Sequence, residues 1–333
     1  MKPSLTPVVA GLALAALAAS SVASAQTVLR ASHQFPGGQG DVRDEMVQMI
    51  ADKVAEADVG LEIQVYPGQS LFKADEQWGA LVRGRLDITA LPLDYASGRH
   101  PEFSATLMPG LVRNHEHAQR LNDSEYMEMI KEVIQEGGAR VLADAWLSGA
   151  FASSQNCITS PETVEGQNFR AAGPAFEEML EAAGASIASM PSSEIYTAMQ
   201  TGVLDAANTS SMSFVSYRLY EQVDCLTEPG EHALWFMYEP ILISEQVWQG
   251  LDEAQQEALT AAADEAEAFF AAEAAAIDQQ MVEVFEENGV EVVSMSKEDY
   301  DAWLEIAKQS SYKNFAERVP NGQAIIDAAL AVE

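Results

Sequence analysis

The chain has 333 residues, of which 18 are lysine or arginine and 51 are aspartate or glutamate, so its formal net charge at pH 7 is −33. Such a surface repels nucleic acid and anionic lipid, which excludes either one as the main binding partner. An anionic ligand would have to be held by local donors against the field of the whole protein.

The first 25 residues have the pattern of a secretory signal peptide. Lys2 precedes an apolar run over residues 8–18, and Ala23-Ser24-Ala25 forms a cleavage site before Gln26. The apolar run is too short to span a bilayer, and no later segment reaches that length. A retained membrane anchor is the alternative. We expect export, and no stable membrane insertion of the mature chain.

The next segment predicts a β-α-β unit. A strand over residues 28–32, a helix over 44–57 and a strand over 61–65 follow from apolar periodicity. Gly37, Gly38 and Gly40 invite comparison with a phosphate-binding loop, but neither G-K-[ST] nor GxGxxG spacing is present. A strand-to-helix turn explains these glycines better.

His115-Glu116-His117 is the one histidine pair at close spacing. Without further ligands it is a weak metal motif, and a solvated loop or helix start explains it better. We therefore expect no metal ion and no cofactor.

Cys157 and Cys225 are the two cysteines of the chain. An oxidising compartment after export favours a disulfide between them, whereas two buried free thiols are the alternative. Neither cysteine lies in a CxxC motif or near a histidine cluster, which argues against metal binding and redox catalysis.

Residues 166–210 predict a β-α-β-α-β unit with parallel strands. One strand ends on Arg170, Gly173-Pro174 opens a helix, and further strands are expected at 186–190 and 203–207, with a helix from residue 193 between them. Arg170 is the lone cation of this unit, at the strand edge where open α/β sheets bind ligands. The alternative is an ion pair between Arg170 and Glu165 or Glu177.

The same pattern occurs earlier in the chain. Residues 75–90, DEQWGALVRGRLDITA, align without a gap to residues 193–208, SEIYTAMQTGVLDAAN, and Gly84 coincides with Gly202. We interpret the match as two similar α/β lobes. The strand ends at 90–93 and 208–211 would then face each other across a cleft.

Residues 252–288 form a long helical pattern without proline or glycine. At ~1.5 Å per residue such a helix would be about 55 Å long, so it should cross both lobes, bend, or break once. A coiled-coil dimer is the alternative, although the many alanines in the apolar stripe favour packing on the chain's own lobes.

The run F-R-x-A-G at 169–173, followed by PSSEIYTAMQTGVLD at 191–205, resembles the DctP-like solute receptors of TRAP transporters. LRASHQFP, VYPGQSLFKADEQWGALVRGRLDI and ILISEQVWQGL extend the resemblance over nearly all of the mature chain. It implies an α/β fold of two lobes with an interlobe cleft: lobe I at 26–145, lobe II at 146–238, a return to lobe I at 239–250, and a spanning helix with C-terminal helices at 251–333. It also implies a periplasmic location, TRAP membrane permease subunits as partners, and a small organic anion, usually a carboxylate, as ligand.

The resemblance predicts a ligand site around Arg170, which would clamp the carboxylate. Residues that would satisfy the ligand's other polar groups are Gln34, Ser192, Asn208 and Thr209; Ser192 and Thr209 are carried over from family ligand positions. Candidate walls of the cleft are Tyr95, Trp146, Phe151, Trp235 and Phe236, with Trp235 and Phe236 equally compatible with core strand. The family often has a second basic residue near Phe151. Because this chain lacks it, one basic residue, Arg170, is left to bind an anionic group of the ligand. A sulfonate or a zwitterionic osmolyte stays open.

Two other classes of protein fit less well. G-x-S-x-G, H-E-x-x-H and a cysteine beside a candidate base are all missing from the sequence, which argues against an exported enzyme. The paired lobes argue against a purely structural or adhesive protein, because a cleft between lobes encloses something small.

Overall fold

The computed structural model describes residues 26–231 and 233–333, and the predicted signal peptide at 1–25 lies outside the described residues. The strands are β1 (Thr27–His33), β2 (Leu61–Tyr66), β3 (Ile88–Ala90), β4 (Ala139–Ala143), β5 (Trp146–Ser153), β6 (Asn168–Ala171), β7 (Ser186–Ser189), β8 (Ala206–Ser210), β9 (Cys225–Glu228), β10 (Trp235–Tyr238), β11 (Ile241–Ser244) and β12 (Glu291–Ser294). The α-helices are α1 (Val42–Glu56), α2 (Gln77–Leu81), α3 (His115–Leu121), α4 (Glu125–Glu136), α5 (Gly173–Ala182), α6 (Ile195–Gln200), α7 (Ser211–Ser216), α8 (Glu245–Trp248), α9 (Glu253–Glu287), α10 (Lys297–Ala307), α11 (Lys313–Arg318) and α12 (Gly322–Leu330).

Two sheets divide the chain into two lobes. The first has the order β2-β1-β3-β11-β4, and the second has the order β12-β9-β5-β8-β6-β7, with β10 also pairing with β5. Strands β1, β2 and β3 are parallel, as are β6, β7 and β8, whereas β5 and β11 run antiparallel to their neighbours. The α/β class and the two-lobed architecture predicted from the sequence are confirmed.

Two short connections carry the chain between the sheets. The first joins β4 of one sheet to β5 of the other, and the second joins β10 back to β11. The lobe boundaries at 145/146 and 238/239 stay a prediction. Because β5 pairs with β10 just beyond them, the two connections lie side by side.

Helix α9 is a single helix of 35 residues that packs on both lobes. It contacts α1 and β4 of the first lobe and α7 and β5 of the second. Asp252 caps its N-terminus by accepting a hydrogen bond from the backbone N–H of Gln255. The helix therefore crosses both lobes, as the sequence predicts, and it does so without a break. Among the helices of the described residues, none contains a stretch both long and apolar enough to cross a membrane.

The internal repeat corresponds to equivalent structure in the two lobes. In each lobe a short helix ends at a glycine of positive φ, Gly84 (64°) or Gly202 (71°), and a strand follows. The aspartate shared by the two repeats, Asp87 or Asp205, makes an equivalent hydrogen bond in each lobe. Asp87 Oδ2 accepts from the backbone N–H of Arg30 in β1 (2.7 Å), and Asp205 Oδ2 accepts from the N–H of Asn168 in β6 (2.8 Å). Each aspartate therefore fixes its helix–strand unit to the first strand of its sheet.

The strand predicted at residues 203–207 begins later, at Ala206. The backbone N–H groups of Val203 and Leu204 both donate to the carbonyl of Ala198 in α6. These two residues therefore still satisfy the end of the helix and cannot join the sheet.

Gly149 in β5 is expected to tolerate no side chain. A Cβ there would lie 2.2 Å from the Thr209 carbonyl oxygen and 2.3 Å from the Trp235 ring. Gly149→Ala should lower the free energy of unfolding by ~1–3 kcal/mol because strand or ring must move. Gly98→Ala, where a Cβ would meet nothing within 4 Å, is the control. Urea unfolding measures both, and equal midpoints for the two variants would contradict the tight packing at Gly149.

Candidate ligand site between the lobes

Arg170 is buried at the end of β6, with 1% of its surface exposed. Its Nε donates to the Met190 carbonyl (3.0 Å), its Nη1 to the Asn208 carbonyl (2.7 Å) and its Nη2 to the Tyr95 hydroxyl (3.2 Å). A guanidinium has five N–H donors, so one remains on each terminal nitrogen. These two N–H groups can bind two oxygens of one anion.

The charge of Arg170 has no direct counter-ion in the part of the chain that the structure describes. Its three hydrogen-bond partners are neutral oxygens, and no ion pair within 4.0 Å joins it to Glu165, Glu177 or any other described carboxylate. A buried cation of this kind is costly unless an anion pairs with it. The geometry thus favours a ligand role over the alternative ion pair.

Tyr95 brings the first lobe to Arg170. It belongs to the 3-10 turn Leu93–Ala96, which follows β3. Besides accepting from Arg170, the Tyr95 hydroxyl accepts from the backbone N–H of Ser192 (2.9 Å) and lies 3.5 Å from Nε2 of Gln34. The Tyr95 hydroxyl of the first lobe therefore contacts Arg170 in β6 and the segment that follows β7 in the second lobe.

Several buried polar atoms near this contact have no hydrogen-bond partner in the described residues. They are Oε1 of Gln34, both carboxyl oxygens of Asp94 and both side-chain polar atoms of Asn208. An unsatisfied buried group costs ~1–3 kcal/mol, so most such groups in folded proteins are paired. Their presence beside Arg170 indicates a site that a polar ligand completes.

The other predicted polar residue, Thr209, is buried in β8 next to Asn208, with 3% exposure. Trp235 lies across Gly149 on the neighbouring strand. Thr209 therefore lies on the same strand as Asn208, and Trp235 lies close to that strand at Gly149.

Three of the predicted wall aromatics contact other side chains, and their role as walls of the cleft stays a prediction. The Trp146 ring packs on Tyr238 and its Nε1 donates to Asn122 (2.8 Å). Phe236 contacts the His115 ring edge-on. The backbone of Phe151 pairs with Asn208, but its ring stacks on Trp303 in a hydrophobic cluster. Successive strand residues point to opposite faces, so a run of aromatics cannot all line one cleft.

A second buried arginine, Arg43 of α1, was missed by the sequence analysis. It binds Asp41 (2.8 Å) and Glu239 (3.3 Å), donates to Ser210 and Ser213 of the second lobe, and lies over the Phe35 ring. Burial alone would lower the pKa of Arg43, but the two carboxylates raise it above its usual range. Its charge is therefore already compensated. An arginine in the first turn of a helix is normally exposed, so the sequence did not indicate that Arg43 is buried.

The histidine pair begins helix α3, one of the two alternatives considered. His115 Nε2 lies 2.9 Å from Asp278 of α9, and His117 is buried with 2% exposure. Burial lowers the pKa of His117 to about 4. His115 contacts Asp278, Ser148 and Phe236, and none of these is a predicted polar contact of the ligand.

Asp94 has the most perturbed carboxyl group of the site. Burial raises its pKa to about 7; the positive charge of Arg170 opposes this rise, and the carboxyl groups of Glu239 and Glu177 add to it. An opening of about 360 Å³ between the lobes is lined by Asp94 and Tyr95 on one side and by Gly173, Pro174 and Met190 on the other. Asp94 therefore lines the opening between the lobes.

Two α/β lobes around a buried arginine with free donors define the class of two-lobed solute-binding proteins. The chain belongs to the DctP family: residues 37–318 match the family model described as bacterial extracellular solute-binding protein, family 7. The recognition of a TRAP transporter solute-binding subunit from the sequence is confirmed.

The relatives agree with this assignment. A solute-binding protein of Albidiferax ferrireducens is 37% identical over 300 residues, which cover 89% of each chain. The crystal structure of a TRAP periplasmic solute-binding protein from Rhodoferax ferrireducens with bound malonate superposes with a TM-score of 0.88 at 35% identity, covering 91% of this chain and 98% of the other. A Bordetella pertussis solute receptor that binds pyroglutamic acid has the same fold (TM-score 0.83, 18% identity, 91% and 99% coverage).

Proposed function

We propose that this protein is exported to the periplasm, binds a small organic anion in the interlobe cleft through Arg170, and delivers it to TRAP membrane permease subunits. The observation that carries the proposal is the buried guanidinium of Arg170, whose protein partners are neutral and which keeps one N–H donor on each terminal nitrogen. The receptor function requires no reaction, so the protein is proposed not to be an enzyme.

A carboxylate is the ligand group that fits best. Its two oxygens match the two remaining donors of Arg170 in a bidentate pair. The malonate bound to the relative from Rhodoferax ferrireducens supports the same choice. A sulfonate could occupy the same donors and serves as a comparison in the test.

A thermal-shift screen of carboxylates, sulfonates and zwitterionic osmolytes tests the proposal. A ligand present at 100 times its Kd stabilises the folded protein by ~2.7 kcal/mol, which gives a clear rise in Tm. We expect a narrow set of carboxylates to stabilise the wild type but not Arg170→Ala. Equal stabilisation of both proteins, or a response restricted to compounds without an anionic group, would refute the Arg170 site.

Ligand binding is expected to reduce the radius of gyration. Hydrogen bonds between the lobes include Tyr95–Ser192, Gln69–Ser193 (3.0 Å), Tyr217–Gln34 (3.1 Å) and those of Arg170 to Tyr95 and Arg43 to Ser210. None of them supplies a counter-ion for Arg170, so a closed state should predominate only when a ligand binds both faces. Small-angle scattering with and without the identified ligand measures the change. The same radius in both samples would indicate a preformed pocket.

A further inference from the structure

Asp94 is a buried carboxyl group without a hydrogen-bond partner in any other described residue. It follows β3 in the first lobe and is 2% exposed. The backbone N–H of Asp94 itself interacts with the carboxyl group, but no other described residue donates to either oxygen. The carboxyl group reaches across to the second lobe, because a Cβ placed on Gly173 would lie 2.5 Å from Asp94 Oδ2.

A comparison with Asp41 shows what a structural carboxylate looks like in the same region. Asp41 is equally buried, and it binds Arg43 through both of its oxygens (2.9 and 2.8 Å). Asp94 has no such pairing, although it is near enough to feel the positive charge of Arg170. No cation of the described residues forms an ion pair with Asp94 within 4.0 Å.

The charged groups around Asp94 define what the ligand can present to it. Arg170 faces it from β6, Glu177 from α5 and Glu239 from the segment between β10 and β11. Asp75 lines the same opening. Arg170 is the one cation among these groups, and the ligand carboxylate would neutralise it. A second carboxylate on the ligand would then face an excess of negative charge, whereas an N–H or ammonium group would satisfy Asp94.

We propose that Asp94 is a specificity-determining residue that accepts a hydrogen bond from a nitrogen of the ligand. The protein would then prefer nitrogen-bearing monocarboxylates (amino acids, imino acids or lactam acids) to dicarboxylates. The inference rests on the proposed function, because it assumes that Arg170 holds the carboxylate. It predicts which second group the ligand has, which the arginine alone does not determine.

Matched pairs of compounds test the proposal by calorimetric titration at pH 8. Proline and pyroglutamate each have a five-membered ring with a nitrogen next to the carboxylate-bearing carbon, and cyclopentanecarboxylate has the same ring without nitrogen. We expect at least one nitrogen compound to bind about tenfold or more tightly than cyclopentanecarboxylate and than succinate. Absence of binding by both nitrogen compounds, affinities equal to that of cyclopentanecarboxylate, or tightest binding of succinate would each overturn the proposal.

Two variants test whether Asp94 is the residue that causes the preference for nitrogen compounds. Asp94→Asn should reduce the preference for the nitrogen compound to less than about threefold, because the amide lacks the negative charge and offers a single acceptor. Asp52→Asn removes an exposed carboxyl group of α1, outside this opening, and should keep the full preference. If Asp94→Asn fails to fold, Asp94→Ser serves instead, and the compound pairs on the wild type decide the matter independently of any variant.

The pH dependence of ligand affinity is a second test of the role of Asp94. A ligand that donates to Asp94 binds the ionised form, so wild-type affinity for the nitrogen compound should rise by up to about tenfold from pH 6 to pH 8. The rise should be absent in Asp94→Asn. A fall over the same range would mean that protonated Asp94 donates to an anion, which contradicts the proposal. Arg170→Ala separates the two claims: unchanged binding refutes the proposed function, whereas lost binding without any nitrogen preference refutes the Asp94 role alone.

Discussion

Arg170→Ala is expected to weaken ligand binding by ~2–5 kcal/mol, which is roughly thirtyfold to several-thousandfold in affinity. The truncation would leave a buried anion facing the neutral groups that now accept from Arg170: the Met190 carbonyl, the Asn208 carbonyl and the Tyr95 hydroxyl. Isothermal titration with a carboxylate found in the screen measures the loss directly.

Two further variants interpret that loss. Arg170→Lys should restore part of the affinity, because an ammonium supplies the charge but not the planar pair of donors. Arg140→Ala is the matched control: Arg140 forms a partly exposed ion pair with Glu245 (2.9 Å), so its loss should leave the affinity unchanged. Equal affinities of wild type, Arg170→Ala and Arg170→Lys would remove Arg170 from the site while leaving the fold untouched.

Loss of the Cys157–Cys225 disulfide is expected to destabilise the second lobe strongly. In the structure these cysteines are bonded, with their Cα atoms 5.2 Å apart and 68 positions apart in sequence. Closing a loop of this size in the unfolded chain is worth about 4 kcal/mol in the chain-entropy model. Replacing both cysteines by serine should therefore lower Tm by about 5–10 °C, measured by differential scanning calorimetry.

Chemical analysis of the exported protein checks the bond itself. Its intact mass should be lower than that of the reduced chain by the mass of two hydrogen atoms. Protein unfolded without reductant should leave both thiols unlabelled by an alkylating reagent. Labelling of both cysteines under these conditions would contradict the pairing, and wild-type Tm in the double serine variant would contradict its effect on stability.

The fold could be predicted from the sequence where local signals and the repeat agreed. The glycines at 84 and 202 and the aspartates at 87 and 205 mark the same helix–strand unit in each lobe, and the structure gives both units the same hydrogen bonds. The strand start at Ala206 could not be predicted, because the hydrogen bonds that hold back Val203 and Leu204 depend on the end of α6.

The site could be predicted only in part. Arg170 was identifiable as a lone cation at a strand end. Arg43 and Asp94 were not, because their burial comes from contacts with the other lobe: Arg43 with Ser210 and Ser213, and Asp94 with Gly173. The faces of Trp146, Phe151 and Phe236 were equally beyond reach, since an aromatic run does not indicate which side of its strand meets a cleft.

The position of β11 sets the order in which the lobes can be completed during synthesis. This strand lies between β3 and β4 in the first sheet, yet it is made after every strand of the second sheet except β12. When synthesis has reached β4, the strand β11 that pairs with it has not yet been made. Strand β4 therefore has no partner, and β3 keeps one unpaired edge. The amino-terminal lobe stays unfinished until the ribosome has passed Ser244. A precursor delayed in this way stays unfolded for longer, which suits the export proposed for this protein.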